Sequence, residues 1–189
     1  VLSNGDYGKK MKLVDNRGVA DERAVYFQHA SLLAMSRTRD LPTNRYAKVG
    51  RKLAKKKTKL HYAGAVGFMG YLAGPQTRII DVYALTDPLM ARMPPRNRHR
   101  WRIGHVKRIV PRGYEKTLRT GKPHFQNKGV REFHKTLKKI TEGPIWSSDR
   151  FSAIWKMNTG QYKSLLDHDQ IRKEGDDRAK KKGKGAKKG

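Results

Sequence analysis

Between Gly64 and Gly121, turn glycines and prolines, paired aromatics, carboxylates and arginines recur at spacings that general basicity does not explain. The segment reads GAVGFMGYLAGPQTRIIDVYALTDPLMARMPP and, further on, WRIGHVKRIVPRGYEKTLRTG. Val66 to Leu72 and Thr77 to Leu85 are rich in aliphatic, aromatic and β-branched residues. Ala73-Gly74-Pro75-Gln76 between them is strong turn chemistry, so the pattern predicts a strand, a turn and a strand. Gly67 and Gly70 weaken an isolated strand and point to close backbone approach or a bulge. Asp87 is suited to cap a short helix with Pro88 in its first position, and Pro94-Pro95 stops it. Trp101 to Val110 alternates loosely and reads as another extended segment, ended by Pro111-Arg112-Gly113. Tyr114 to Leu118 then makes a short helix closed by Thr120-Gly121.

Outside this segment the pattern is helical. Asp21-Glu22 supply negative charge to a first turn, Tyr26, Ala30 and Leu33 share a face, and Asp40-Leu41-Pro42 breaks the helix. Gly129 to Ile140 is the clearest amphipathic stretch, with Val130, Phe133, Leu137 and Ile140 in one stripe and Gly143-Pro144 as terminator. Ser148-Asp149 starts a further helix whose Phe151, Ile154 and Trp155 sit at helical spacing, and Trp155 is assigned to the core. These elements predict an α+β fold: a small twisted sheet built from Val66 to Val110, covered by helices around Asp21 to Leu33, Gly129 to Ile140 and Asp149 to Met157. Residues 1–18 read as an extended N-terminal segment, 19–166 as a single α+β domain, and 167–189 as a flexible basic C-terminal tail without a hydrophobic face.

The chain has 189 residues and 36% hydrophobic content, enough for one domain with a genuine core. The absence of cysteine removes disulfides, thiolate zinc sites and cysteine nucleophiles. Lys+Arg 44 against Asp+Glu 16 gives a net charge of +28, which repels itself unless anions are near. A polyanionic partner follows: nucleic acid, anionic lipid or an acidic envelope polymer. Two clusters are the expected polyanion-binding residues, with a solvated face for the first and a solubilising terminus for the second as the alternatives. One is Lys48, Arg51, Lys52, Lys55, Lys56, Lys57 and Lys59; the other is Lys180, Lys181, Lys182, Lys184, Lys187 and Lys188 in the tail. Such runs supply affinity without reading sequence. No run approaches the roughly 20 apolar residues of a membrane-spanning helix. No signal peptide is expected from the opening residues.

Gly67-Phe68-Met69-Gly70-Tyr71, Gly74-Pro75, Asp81-Val82-Tyr83-Ala84-Leu85, Asp87-Pro88-Leu89, Ala91-Arg92, Trp101-Arg102-Ile103-Gly104-His105, Arg108, Pro111, Gly113-Tyr114 and Thr120-Gly121 carry a resemblance. The pattern resembles the soluble carboxy-terminal region of a family of bacterial multi-spanning membrane glycosyltransferases. That family is the terminal arabinofuranosyltransferase-like group, which also includes a motility-associated membrane protein. A weaker echo extends the likeness from Asp15 to Leu166, and the lysine tail stands outside it. The resemblance implies an accessory, extracytoplasmic domain, membrane-associated through upstream segments absent here, that binds an acceptor glycan, an anionic envelope polymer or a partner. The alternative is a basic nucleic-acid-associated protein, cytoplasmic with DNA or RNA, that reuses this domain.

Glycosyl transfer needs a carboxylate to take the acceptor proton and a cradle for the donor phosphate. Asp81, Asp87, Arg92, Arg102, His105 and Arg108 are the residues from which such a constellation could be drawn. The resemblance implies a catalytic carboxylate near the amino terminus of a longer protein, so no residue is assigned as catalytic and the isolated chain is not expected to be an enzyme. Arg92, Trp101, Arg102, His105, Arg108 and Tyr114 form the expected ligand-binding cluster, with the aromatics stacking on a sugar ring and the arginines holding hydroxyls or phosphate. Core packing is an equal alternative for Trp101 and Tyr114, and a structural hydrogen bond is the alternative for His105. Asp87 is expected to be a structural cap. Asp167-His168-Asp169 lacks the spacing to converge on one ion, so neither a metal nor a cofactor is expected. No Gly-x-Ser-x-Gly elbow occurs.

Overall fold

The structure, a computed structural model, describes residues 44–96 and 103–175 together with Val19, Glu22 and Tyr26. Glu22 and Tyr26 are helical; the remainder of the helix expected over Asp21 to Leu33 lies outside the described residues, as does the tail from 176 onward. The chain divides into two compact units, Val1–Asp81 with Asn97–Val106, and Val82–Arg96 with Lys107–Gly189.

The first unit is built on α1 (Arg45–Lys55), β1 (Leu60–Ala63), α2 (Gly67–Ala73) and β2 (Arg78–Asp81). The strands pair in parallel, with Leu60 opposite Arg78 and Ala63 opposite Asp81. Parallel neighbours need a crossover, and α2 supplies it. The fold is therefore α+β, but its sheet is two short strands rather than one spanning Val66 to Val110. The run Val66 to Leu72, expected as a strand, is helical from Gly67 onward because Met69 and Ala73, four apart, bury one face against Leu53 of α1. A short apolar run does not by itself distinguish strand from helix. The two helices meet closely at Gly50, where an added Cβ would lie 2.5 Å from Met69 O.

In the second unit, Met90–Arg92 form a 3₁₀ turn, followed by α3 (Tyr114–Thr120), α4 (Lys128–Glu142), α5 (Ser148–Asn158), a second 3₁₀ turn at Lys163–Leu165, and α6 (168–175). The expected extended segment over Trp101 to Val110 is reduced, within its described part, to an isolated antiparallel bridge between Arg108 and Pro95. Proline has no N–H to donate, so it cannot sustain a ladder there. Gly113 enters α3 with φ 85°, and a Cβ there would collide with the His124 carbonyl oxygen, so only glycine fits.

Asn127 caps α4 by accepting from Val130 N at 3.0 Å, and Val130, Phe133 and Leu137 of the expected stripe are buried. Asn127 also donates to Glu174 at 3.3 Å, which ties the start of α4 to α6. The described start of the segment expected as a tail, residues 168–175, is helical. Asp167 caps α6 through Asp169 N and Gln170 N, and Ile171 is 2% exposed. One apolar side chain among charges escapes a composition average, yet it seats the helix. Trp155, assigned to the core, is instead 69% exposed. α5 buries its small residue Ala153, and the face bearing Phe151 and Trp155 points outward.

Candidate anion-binding face

α1 segregates its residues sharply. Asn44 caps it by accepting from Ala47 N at 2.9 Å, and Ala47, Gly50 and Leu53, spaced by three, form the buried stripe. Lys48, Arg51, Lys52 and Lys55 are exposed, and Lys56, Lys57 and Lys59 continue the charge past the helix end. Residues 41–80 contain no Asp or Glu, and none of these cations has a carboxylate partner among the described residues. Positive charge at a helix C-terminus complements the partial negative charge of its free carbonyls, so the local fold tolerates what bulk repulsion opposes.

The end of α1 has a specific geometry. Thr58 N donates to Leu53 O at 3.0 Å and Lys57 N to Ala54 O at 2.9 Å, the paired bonds of a Schellman ending. The residue in the left-handed position is Lys57, at φ 50°, where glycine is the usual occupant. A left-handed lysine costs about 1–2 kcal/mol relative to a right-handed one. The chain thus carries a strained lysine in the middle of its cation run.

The expected ligand-binding cluster is placed piecemeal. Trp101 and Arg102 lie outside the described residues. His105, in the first unit, has Nε2 3.8 Å from a Glu22 carboxylate oxygen, while its Nδ1 lies 3.1 Å from Ile103 O. The others belong to the second unit. Tyr114 is 5% exposed, stacks on Phe125 at 5.9 Å, and donates its hydroxyl to Asp87, so its ring is packed inside and its polar end is committed. Arg108 donates to Met93 O at 3.1 Å, and its Nε is buried without a hydrogen-bond partner among the described residues. The Arg92 side chain is exposed, and its carbonyl accepts from His168 Nε2 at 3.0 Å.

No family model, curated protein or solved structure matches this chain. Its chemistry is therefore read from its own groups.

Asp81 and Asp87 are both buried, and Asp87 holds Leu89 N, Met90 N and the Tyr114 hydroxyl. Asp87, expected as a structural cap, spends its Oδ1 on these two backbone N–H groups just ahead of Met90–Arg92. The residues of Asp167-His168-Asp169 serve separately: Asp167 caps α6, His168 holds the Arg92 carbonyl, and Asp169 pairs with Arg172 at 2.8 Å. The tail lysines 180–188 lie outside the described residues. Sequence reasoning named the α1 cations, and the structure leaves them exposed. It missed the exposed rings of Trp146, Phe151 and Trp155, because helical spacing reveals a face without telling whether another element covers it.

Proposed function

We propose that this chain is a binding module, acting as an accessory domain of a glycosyltransferase-like membrane protein and holding an anionic envelope polymer or acceptor glycan through the cation face of α1. The supporting observation is that face: a run of exposed lysines and arginines without carboxylate partners among the described residues, laid on a helix whose opposite side is buried. The glycosyltransferase setting comes from the resemblance of the segment Gly67 to Gly121. Burial of Asp81 and Asp87 favours binding over catalysis, since a general base must reach an acceptor hydroxyl. The same face would also suit the nucleic-acid reading, whose backbone phosphates attract unpaired cations equally.

The test is a titration of the purified chain with an acidic cell-wall polysaccharide, a neutral glycan, RNA and DNA across a salt series. A variant with Lys48, Arg51, Lys52 and Lys55 changed to alanine is run beside it. The proposal expects the acidic polysaccharide to bind best, with a salt slope that falls by about one for each contact removed. Tighter binding of RNA or DNA at matched salt selects the nucleic-acid protein. Binding that ignores both salt and the four substitutions overturns the role of α1.

A further inference from the structure

The second unit leaves a hydrophobic surface unexplained by the α1 reading. Ile145 and Trp146 occupy the turn between α4 and α5, and they are 64% and 86% exposed. Phe151 and Trp155, four residues apart on α5, are 51% and 69% exposed. Part of this arrangement is local: Ser147 is the N-cap, so Trp146 precedes the cap and Phe151 is the fourth helical residue, the positions of a hydrophobic staple. Their ring centroids are 6.3 Å apart, as that contact requires. A staple explains why the two rings touch. It does not explain Trp155 or Ile145, nor why the assembled surface faces water.

We propose that this surface seats the second unit on an anionic lipid bilayer, with Ile145, Trp146, Phe151 and Trp155 entering the headgroup region. Tryptophan with aliphatic and phenyl neighbours is the residue set that settles at the boundary between headgroups and acyl chains. The surrounding charge fits. Lys139 is bridged to Asp149 at 3.3 Å and Lys138 to Glu142 at 3.3 Å, whereas exposed Lys156, next to Trp155, and Lys163 carry no ion pair among the described residues. Lys156 adjoins Trp155 in sequence, which sets beside that ring a cation of the kind anionic headgroups attract.

Other occupants fit less well. A second copy would bring together two chains of charge +28. Three partly exposed rings and an isoleucine amount to about 600 Å², less than the roughly 800 Å² per side of a stable protein complex. A base-stacking platform would offer separate flat rings, but Trp146 and Phe151 lean on each other and Ile145 has none. The residues of this inference lie off α1 and outside the strong motifs between Gly67 and Gly121, within the weaker part of the likeness.

Sedimentation of the full chain with phosphatidylcholine vesicles, with and without phosphatidylglycerol, tests the proposal. Acyl-brominated lipids would serve as tryptophan quenchers. Wild type should bind the anionic vesicles, and bromine should quench its emission. The double variant Trp146→Ser with Trp155→Ser, shown folded by circular dichroism, should lose about tenfold or more in vesicle affinity. Trp146→Phe with Trp155→Phe should retain most of it. The α1 alanine variant controls for charge alone: if it abolishes vesicle binding while the serine variant binds as wild type does, the proposal fails. Absence of bromine quenching also overturns it. So does a dimer in sedimentation velocity that the serine pair dissolves, or an oligonucleotide affinity that the serine pair removes while vesicle binding stays unchanged.

Discussion

The Tyr114 hydroxyl reaches both carboxylate oxygens of Asp87, at 3.1 and 3.0 Å, across 27 residues of chain. This one contact joins the 3₁₀ turn, which Asp87 also caps, to α3, which begins at Tyr114. Asp87→Ala removes the acceptor of Leu89 N and Met90 N and the carboxylate that takes the Tyr114 hydroxyl, so it is expected to cost about 2–4 kcal/mol. Tyr114→Phe removes one bond to a carboxylate and should cost about 1.5–3 kcal/mol. Urea unfolding of both single variants and the double variant checks this. Additive losses would show that the two residues act separately.

Gly50→Ala opposes two effects. Alanine favours a helix interior by about 1 kcal/mol, but here its Cβ would press on the α2 backbone at Met69 O, a clash costing about 1–3 kcal/mol. The clash should win and lower the unfolding midpoint. Gly67→Ala is the control: a Cβ there meets nothing within 4 Å. It should raise stability by about 0.4–1 kcal/mol.

Lys57→Gly separates stability from binding. Relief of the left-handed lysine is expected to raise stability by about 0.5–1 kcal/mol, part of the gain being returned as entropy of the unfolded chain. The same change should weaken polyanion binding and reduce its salt slope by about one. Differential scanning calorimetry and a salt titration measure the two effects. Unchanged binding would mean that this lysine is held in its strained conformation for some reason other than the ligand.

Ile171→Ala probes whether α6 belongs to the folded unit. Truncating a buried aliphatic side chain costs about 2–5 kcal/mol, whereas the same change in a mobile tail is silent. Equal melting temperatures for the variant and wild type would return α6 to the tail.

The sequence alone determined the local features whose physics is short-ranged. Asp87 with Pro88 specified a capped turn, Gly143-Pro144 a helix end, Val130, Phe133 and Leu137 a buried stripe, and the Lys48 to Lys59 run a solvated cation face. Each depends on neighbours within one or two turns. Tertiary packing decided the rest. Met69 and Ala73 became helical because α1 offered them a surface, and the sheet became parallel because that helix stood between its strands. Tyr114 turned inward because a carboxylate 27 residues away could take its hydroxyl. The exposure of Trp155 and the burial of Ile171 make the same point from opposite sides. Periodicity states which side chains share a face, but only the arrangement of the other elements determines whether that face meets protein or water.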